Sequence, residues 1–399
     1  VLKIAVYFRM FSPYILARLN AAAGVAQVVG IEGSRRSSTY AWEPRLGEEA
    51  FERVTLFEDR AVEQVPNREV MAAVAAALDR AQPDVVVPGG WSHVEALAMI
   101  RWARANRRRV VMMSESTAHD YARSPFREAI KRRLVQLADA ALVGGAPQRR
   151  YISQLGLPES RVFLGYNAVD NAWFERGAAE ARANPALRAQ LGLPPAYFLA
   201  SGRFIPKKNF DRLVRAYASY RASAGAGAWD LVLLGDGELR AELEALVAQL
   251  GLGAQVHFPG FRQYDELPQV LAFAGAFVHV SLSEQWGLVV NEAMAAGLPV
   301  IVSRQCGCAE DLVEHGVNGW TVDAWSEVEI AARLDDVTRA DRAAMAAAGQ
   351  QIVARYGPAR FAQGMAAALA AAGAVDPRGL SLADRSLIAA LALRGTSAG

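Results

Sequence analysis

Four residues in the second half of the chain have the types and spacing to hold a phosphorylated ligand. Arg203 and Lys208 stand in "SGRFIPKKN", and Glu284 and Glu292 in "SEQWGLVVNEAMAAGLPV". An arginine offers phosphate oxygens a planar fork, and a lysine adds a compact point charge. Seven residues separate the two glutamates, and Gly287 between them opens a helical run. The backbone N–H groups of Gly287, Leu288 and Val289 are expected at that helix start, where unused donors and the helix dipole favour an anion. A carboxylate repels phosphate, but it accepts hydrogen bonds from hydroxyls. Glu284, just ahead of the helix, would reach one end of such a ligand. Glu292, one turn beyond Leu288 on nearly the same face, would reach the other. Hydroxyls, then a diphosphate, then further hydroxyls describe a nucleotide-sugar. The plain alternative is a solvated basic loop and two surface acids on an ordinary helix.

These residues must be positioned by the elements around them. Apolar runs rich in Val and Ile ("KIAVYF", "DVVVPGG", "RVVMMS", "AALVGG", then "AYFLASGR", "DLVLLGDG", "AFVHVSLSE", "LPVIVSR") alternate with helical patterns. Continuous apolar strands joined by helices predict parallel sheets buried on both faces. Each half therefore reads as a doubly wound α/β unit, with ligands at the carboxyl ends of the strands. Gly202 leaves the strand before Arg203, and Gly235 and Gly237 in "LLGDGELRAEL" would let backbone approach a ligand, although a simple strand-to-helix turn also accounts for them. The boundaries expected are 1–175 for an acceptor-side domain, 176–195 for a linker and 196–355 for a donor domain. A helical tail, 356–399, is expected to cross back to the first domain.

Bulk properties narrow the function. At 399 residues the chain exceeds the size at which one core stops growing. With 52% apolar and 21% charged residues it has the composition of a soluble globular protein. The net charge of +2 argues against nucleic acid as a partner. No apolar run approaches a membrane span, and "VLKIAVYF" reads as a strand rather than a signal sequence. Cys306 and Cys308 are too few for a disulfide framework and lack zinc-site spacing, so a reducing cytoplasm is expected. The first strand runs into "RMFSPYILARL" without the glycines of a dinucleotide-binding turn, and no Walker-type loop occurs.

The segment from Ser281 to Asp323, "SLSEQWGLVVNEAMAAGLPVIVSRQCGCAEDLVEHGVNGWTVD", resembles the signature of the retaining GT-B glycosyltransferases of family 4, the glycosyl transferases group 1. "SGRFIPKKN", "LLGDGELRAEL" and "VHFPGF" resemble the same family's other motifs, in the expected order. The likeness is strong over about Phe198 to Asp323 and loose over the first half. It implies two facing Rossmann-like domains with a cleft between them. The activity implied is transfer of a hexose or related sugar from a nucleoside diphosphate, UDP or GDP, to a hydroxyl acceptor such as a glycan, a lipid-linked saccharide or a small metabolite. It further implies that Arg203 and Lys208 neutralise the leaving diphosphate with the N–H groups at Gly287, Leu288 and Val289. Glu284 would contact the donor sugar, Glu292 the ribose, and Gly260 and Phe261 the base. No metal and no cofactor are implied, since fixed positive charge at the leaving group takes a cation's place. A sugar-nucleotide epimerase on the same fold and a non-catalytic sugar-nucleotide binding protein are the alternatives.

The acceptor side is read less directly. Relatives often carry paired glycines after the first strand, where this chain has "FRMFSPY"; Phe11, Ser12 and Pro13 would line the cleft there. After "RRVVMMSES", His119, Asp120 and Glu115 are candidate polar groups, and Trp91 in "PGGWSH" a candidate platform for a sugar ring. Residues 1–163 hold 23 basic against 17 acidic residues. Part of the excess lies in "SPFREAIKRRLVQLADA", where Phe126, Ile130, Leu134 and Leu137 form an apolar stripe with Arg127, Lys131, Arg132 and Arg133 outside it. That helix reads either as a core helix with a solvated basic face or as a peripheral contact with anionic membrane at the cytoplasmic face.

Overall fold

In a computed structural model, which describes residues 1–36, 49–120 and 123–393, the chain forms two compact units. One is Val1–Ala168 together with the segment from Pro358 onward; the other is Val169–Gly357. The first contains β1 (Lys3–Phe8), α1 (Pro13–Ala22), β2 (Gln27–Ser34), β3 (Glu52–Phe57), α2 (Asn67–Ala81), β4 (Val85–Val87), α3 (Val94–Ala105), β5 (Arg109–Ser114), α4 (Pro125–Val135), β6 (Ala140–Val143), α5 (Ala146–Gln154) and β7 (Val162–Leu164). The second contains α6 (Asn171–Arg182), α7 (Pro185–Gln190), β8 (Tyr197–Ser201), α8 (Phe210–Ala224), β9 (Asp230–Leu234), α9 (Arg240–Gln249), β10 (Val256–Gly260) and α10 (Leu267–Ala272). It continues with β11 (Ala276–His279), α11 (Leu288–Ala295), β12 (Val300–Ser303), α12 (Ala309–Leu312), β13 (Gly319–Val322), α13 (Glu327–Arg339) and α14 (Arg342–Val353). The chain then returns to the first unit with α15 (Pro358–Gly373) and α16 (Leu382–Leu393).

The first unit's seven-stranded sheet has the order β3-β2-β1-β4-β5-β6-β7, and the second unit's six-stranded sheet the order β10-β9-β8-β11-β12-β13. The pairings are parallel throughout. Runs such as "AALV" in β6 and "VIVS" in β12 are buried at every residue, because helices cover both faces of each sheet. In each sheet the winding direction reverses once, beside β1 and β4 in the first unit and beside β8 and β11 in the second. Loops diverge at such a point and leave a crevice at the carboxyl ends of the strands. These are Rossmann-like parallel sheets, as the apolar rhythm predicts.

Three expectations need correction. Residues 176–195 are not a linker: α6 and α7 belong to the second unit. Phe174, Ala178 and Ala181 recur at helical spacing and are buried, and Asp170 caps α6 by accepting from the Trp173 N–H at 3.1 Å. The unit boundaries fall at Ala168 and Gly357, not at 175 and 355. The stripe on α4 is broken. Leu134 is buried and Ile130 and Leu137 pack beside the core, but Phe126, in the first turn, is 68% exposed. No described helix is long and apolar enough to cross a membrane.

Candidate functional site

The second unit's crevice is built by two loops that cross at the reversal between β8 and β11. The first loop leaves β8 at Ser201, passes Gly202 and Arg203 and makes a 3₁₀ turn over Pro206–Lys208. Asn209, left-handed at φ +61°, starts α8. Its side-chain amide donates to the carbonyls of Val280 (3.0 Å) and Ala324 (2.8 Å), which ties the basic turn to the ends of β11 and β13. The Leu282 N–H donates to the Lys207 carbonyl at 2.8 Å, a second tie between the same loops. Arg203 and Lys207 remain exposed, while Lys208 turns inward.

The second loop runs from the end of β11 to α11. Gly287 caps the helix at φ +100°, and a Cβ there would lie 3.3 Å from His279 Nε2, so glycine suits both the conformation and the space. The N–H groups of Leu288 and Val289 open α11 and have no acceptor within the helix. Residues 287–289 are partly exposed. Trp286, immediately before them, is buried and donates through Nε1 to Asn291 Oδ1 at 2.9 Å. The loop is strapped from outside as well: Gly307 N–H donates to the Glu284 carbonyl (2.8 Å) and Cys308 N–H to the Trp286 carbonyl (3.2 Å). Cys306 and Cys308 are free buried thiols whose pKa values burial pushes up, so they serve as small packing groups in this strap.

Where the loops meet, Lys208 Nζ and Glu284 Oε2 form an ion pair with 14% and 16% of the two side chains exposed. Beneath it His279, 3% exposed, places Nε2 3.8 Å from Glu284 Oε2 and 3.4 Å from Ser281 Oγ. Burial, followed by the charge on Lys208, lowers the His279 pKa to about 3, so its ring is neutral at neutral pH. For Glu284, burial opposes ionisation, but Lys208 and then His279 and Lys207 more than reverse this and hold its pKa below the ordinary value. Glu292 lies one turn along α11 from Leu288 and is buried. The sequence-predicted Gly202, Lys208, Glu284, Gly287, Leu288 and Val289 thus share one corner. Gly235 stands behind it: its loop packs so closely that a Cβ would sit 2.1 Å from the Gly202 carbonyl oxygen. Its N–H donates to the Gly260 carbonyl at 3.0 Å, and Phe261 beyond is 41% exposed. Among the described residues, no three His, Cys, Asp or Glu are grouped as metal ligands.

In the first unit the acceptor-side candidates fare differently. Trp91 is 6% exposed with its ring 6.4 Å from that of Tyr151, so it is a core residue and offers no face to a sugar. Phe11, 2% exposed, packs against Phe8 and Phe51 instead of lining a surface. Asp120 accepts from the Thr117 N–H (2.8 Å) and Oγ1 (2.6 Å) and so closes its own loop. His119 is exposed, Glu115 half-buried, and Ser12 precedes α1 without a side-chain cap bond. Sequence reasoning passed over a more ordered group at the β1–β4 reversal. Arg9 donates through Nε to Glu95 Oε1 at 3.0 Å and meets His93 Nδ1 at 3.1 Å, with Glu95 1% exposed. An acid in the first turn of a helix after a strand was the available signal. His279 was missed as well, reading as an ordinary strand position.

The family model described as glycosyl transferases group 1 matches residues 184–351, which include the Lys208–Glu284 corner and Gly235, Gly260, Phe261 and Glu292. The GDP-mannose-dependent alpha-(1-6)-phosphatidylinositol monomannoside mannosyltransferase of Mycobacterium tuberculosis is 31% identical over 268 residues, 65% of this chain and 68% of that protein. The chain belongs to the group 1 glycosyltransferases. An uncharacterized glycosyltransferase of Methanocaldococcus jannaschii is 34% identical over 165 residues, and that match spans 41% of each protein. Among solved structures, HepE of Anabaena in complex with UDP aligns over 93% of this chain and 100% of its own, with 21% identity and a TM-score of 0.69. This glycosyltransferase therefore has the GT-B fold, with two Rossmann-like parallel-sheet domains.

Proposed function

We propose that this glycosyltransferase moves a sugar from a nucleoside-diphosphate sugar to a hydroxyl acceptor, with retention at the anomeric carbon and without a metal ion. The observation that supports this most is the Lys208–Glu284 pair beside the open start of α11, at the reversal of the second unit's sheet. A diphosphate lying on the N–H groups of Gly287, Leu288 and Val289 would meet Lys208 on one side and the exposed Arg203 on the other. Cleavage of the sugar–phosphate bond builds negative charge on the diphosphate, and these fixed donors and cations stabilise that charge as it develops. Glu284 would turn from Lys208 toward the donor-sugar hydroxyls once the diphosphate neutralises the lysine. Glu292 takes the ribose, and the backbone at Gly260 with Phe261 takes the base. Retention and metal independence rest on the motif resemblance. A UDP-bound structural neighbour and a GDP-mannose-dependent relative support UDP or GDP as the nucleotide.

The acceptor is a hydroxyl on a glycan, lipid-linked saccharide or small metabolite, and the Arg9–His93–Glu95 group at the β1–β4 reversal is the polar site in the first unit placed to receive it. The exposure of Phe126, Arg127 and Arg132 on α4 supports a peripheral contact with anionic membrane, tested by salt-dependent sedimentation with anionic vesicles.

A thermal-shift panel of UDP-, GDP-, ADP- and dTDP-sugars should identify the donor by ligand-linked stabilisation. Glu284→Gln should keep nucleotide binding and reduce transfer by about 100-fold or more, and transfer should persist in EDTA. Wild-type turnover by Glu284→Gln, or no stabilisation by any donor, would overturn the reading.

A further inference from the structure

A cavity of about 390 Å³ lies in the first unit at the amino ends of β6 and β7. Leu137 and Ala138 lead into β6, and Gly156 to Arg161 lead into β7. Ligands of doubly wound sheets bind at the opposite, carboxyl ends, so the fold's own chemistry does not account for it. Four arginines are among its lining residues: Arg104, Arg133, Arg161 and Arg378. Arg104 forms the floor, fully buried and paired with buried Asp139 at 2.8 Å, with Nε donating to the Leu137 carbonyl at 2.9 Å. Arg133 forms a wall, its Nε 2.6 Å from Asp384 Oδ1, and the same carboxylate accepts from Ser381 N–H and Oγ at the start of α16. Arg161 and Arg378 stand at the mouth with no carboxylate partner among the described residues. Two carboxylates against four guanidiniums leave the cavity with two positive charges to spare. Leu157 and Pro158 give it an apolar side.

From this we infer that the cavity is a second anion site, for a phosphate ester with a body about the size of a sugar. The volume falls within the range of small-molecule sites, and paired guanidiniums suit phosphate oxygens. A ligand here would bridge Arg161, next to the sheet, to Arg133 and Arg378, next to the start of α16. It would therefore clamp the C-terminal helix onto this unit.

The test is calorimetric titration of the full chain with glucose 6-phosphate and with pyrophosphate, at ionic strength matched by potassium chloride. Because Arg203 and Lys208 offer another anion site, the titration is repeated in two double variants. Binding should survive R203A/K208A and weaken about tenfold or more in R161A/R378A, which removes one half-buried and one exposed side chain, breaks no ion pair among the described residues and should leave the melting temperature without ligand as in wild type. Hydrogen exchange in α16 should slow with ligand in wild type and not in R161A/R378A. A third arm offers vesicles of phosphatidylglycerol and phosphatidylcholine; binding lost in R161A/R378A would make a lipid headgroup the source of the phosphate. Equal binding by R161A/R378A and wild type, or no binding of either anion by wild type at matched ionic strength, would overturn the inference. Loss in R203A/K208A alone would overturn it too, while supporting the donor site.

Discussion

Lys208 and Glu284 are each about one-seventh exposed, and each charge is stabilised by the other. Removing one partner of such a pair leaves an uncompensated charge in a poorly hydrated site. Lys208→Met should therefore cost about 2–3 kcal/mol, and adding Glu284→Gln should recover much of the loss. Urea denaturation of the four proteins in the double-mutant cycle measures the coupling directly. The pair also sets a pH dependence. His279 is held near pKa 3 in the fold against an ordinary 6.5, and Glu284 below its ordinary 4.5. Both groups therefore bind more protons unfolded than folded, and both contribute stability that is present at neutral pH and lost on acidification. The His279 contribution falls as pH drops below 6.5, and that of Glu284 as pH drops below 4.5. His279→Gln should flatten the stability slope between pH 6.5 and pH 5, where Glu284 is already ionised in both states. His93, also lowered by burial and then by Arg9, supplies part of the slope that remains.

Between elements, the closest approach behind the donor corner is the loop after β9 lying on the loop after β8. At Gly235 a methyl group would meet a carbonyl oxygen at 2.1 Å with φ at +135°, whereas at Gly260 the space is open and only the φ of +84° opposes a side chain. Gly235→Ala should lose about 3 kcal/mol or more, and Gly260→Ala about 1 kcal/mol, read as shifts in denaturation midpoint. The same comparison explains what could be read from the chain in advance. Strands such as β6 and β12 are buried on both faces, so their apolar runs declare them. Each half of the Lys208–Glu284 corner was legible because it sits within one strand-to-helix turn, where sequence neighbours are spatial neighbours, whereas the meeting of the two loops was only what the motif resemblance implied. Trp91 was misread because its burial depends on Tyr151, sixty residues away. Segment 176–195 was misread because its Ala, Asn and Pro content masks the short stripe of Phe174, Ala178 and Ala181. The Arg9–Glu95 pair joins the loop after β1 to the first turn of α3, which no local pattern connects.

At the scale of the whole molecule, the first unit depends on residues that come last in the chain. Phe361, Met365, Ala368 and Leu369 of α15 share a core with Ile4, Val111 and Leu142 of the sheet. Phe361→Ala should cost about 3–5 kcal/mol, and hydrogen exchange should locate the loss in β1, β5 and β6 while strands β8 to β12 keep their protection. This order of assembly bears on biosynthesis. Residues 169–357 of the second unit are translated between the sheet of the first and the helix that covers it. At ribosomal rates of about 5–20 residues per second, that sheet waits roughly 10–40 s for its cover. The part of its flank that α15 covers should stay exposed throughout that interval, and the nascent polypeptide should finish residues 169–357 before the first unit.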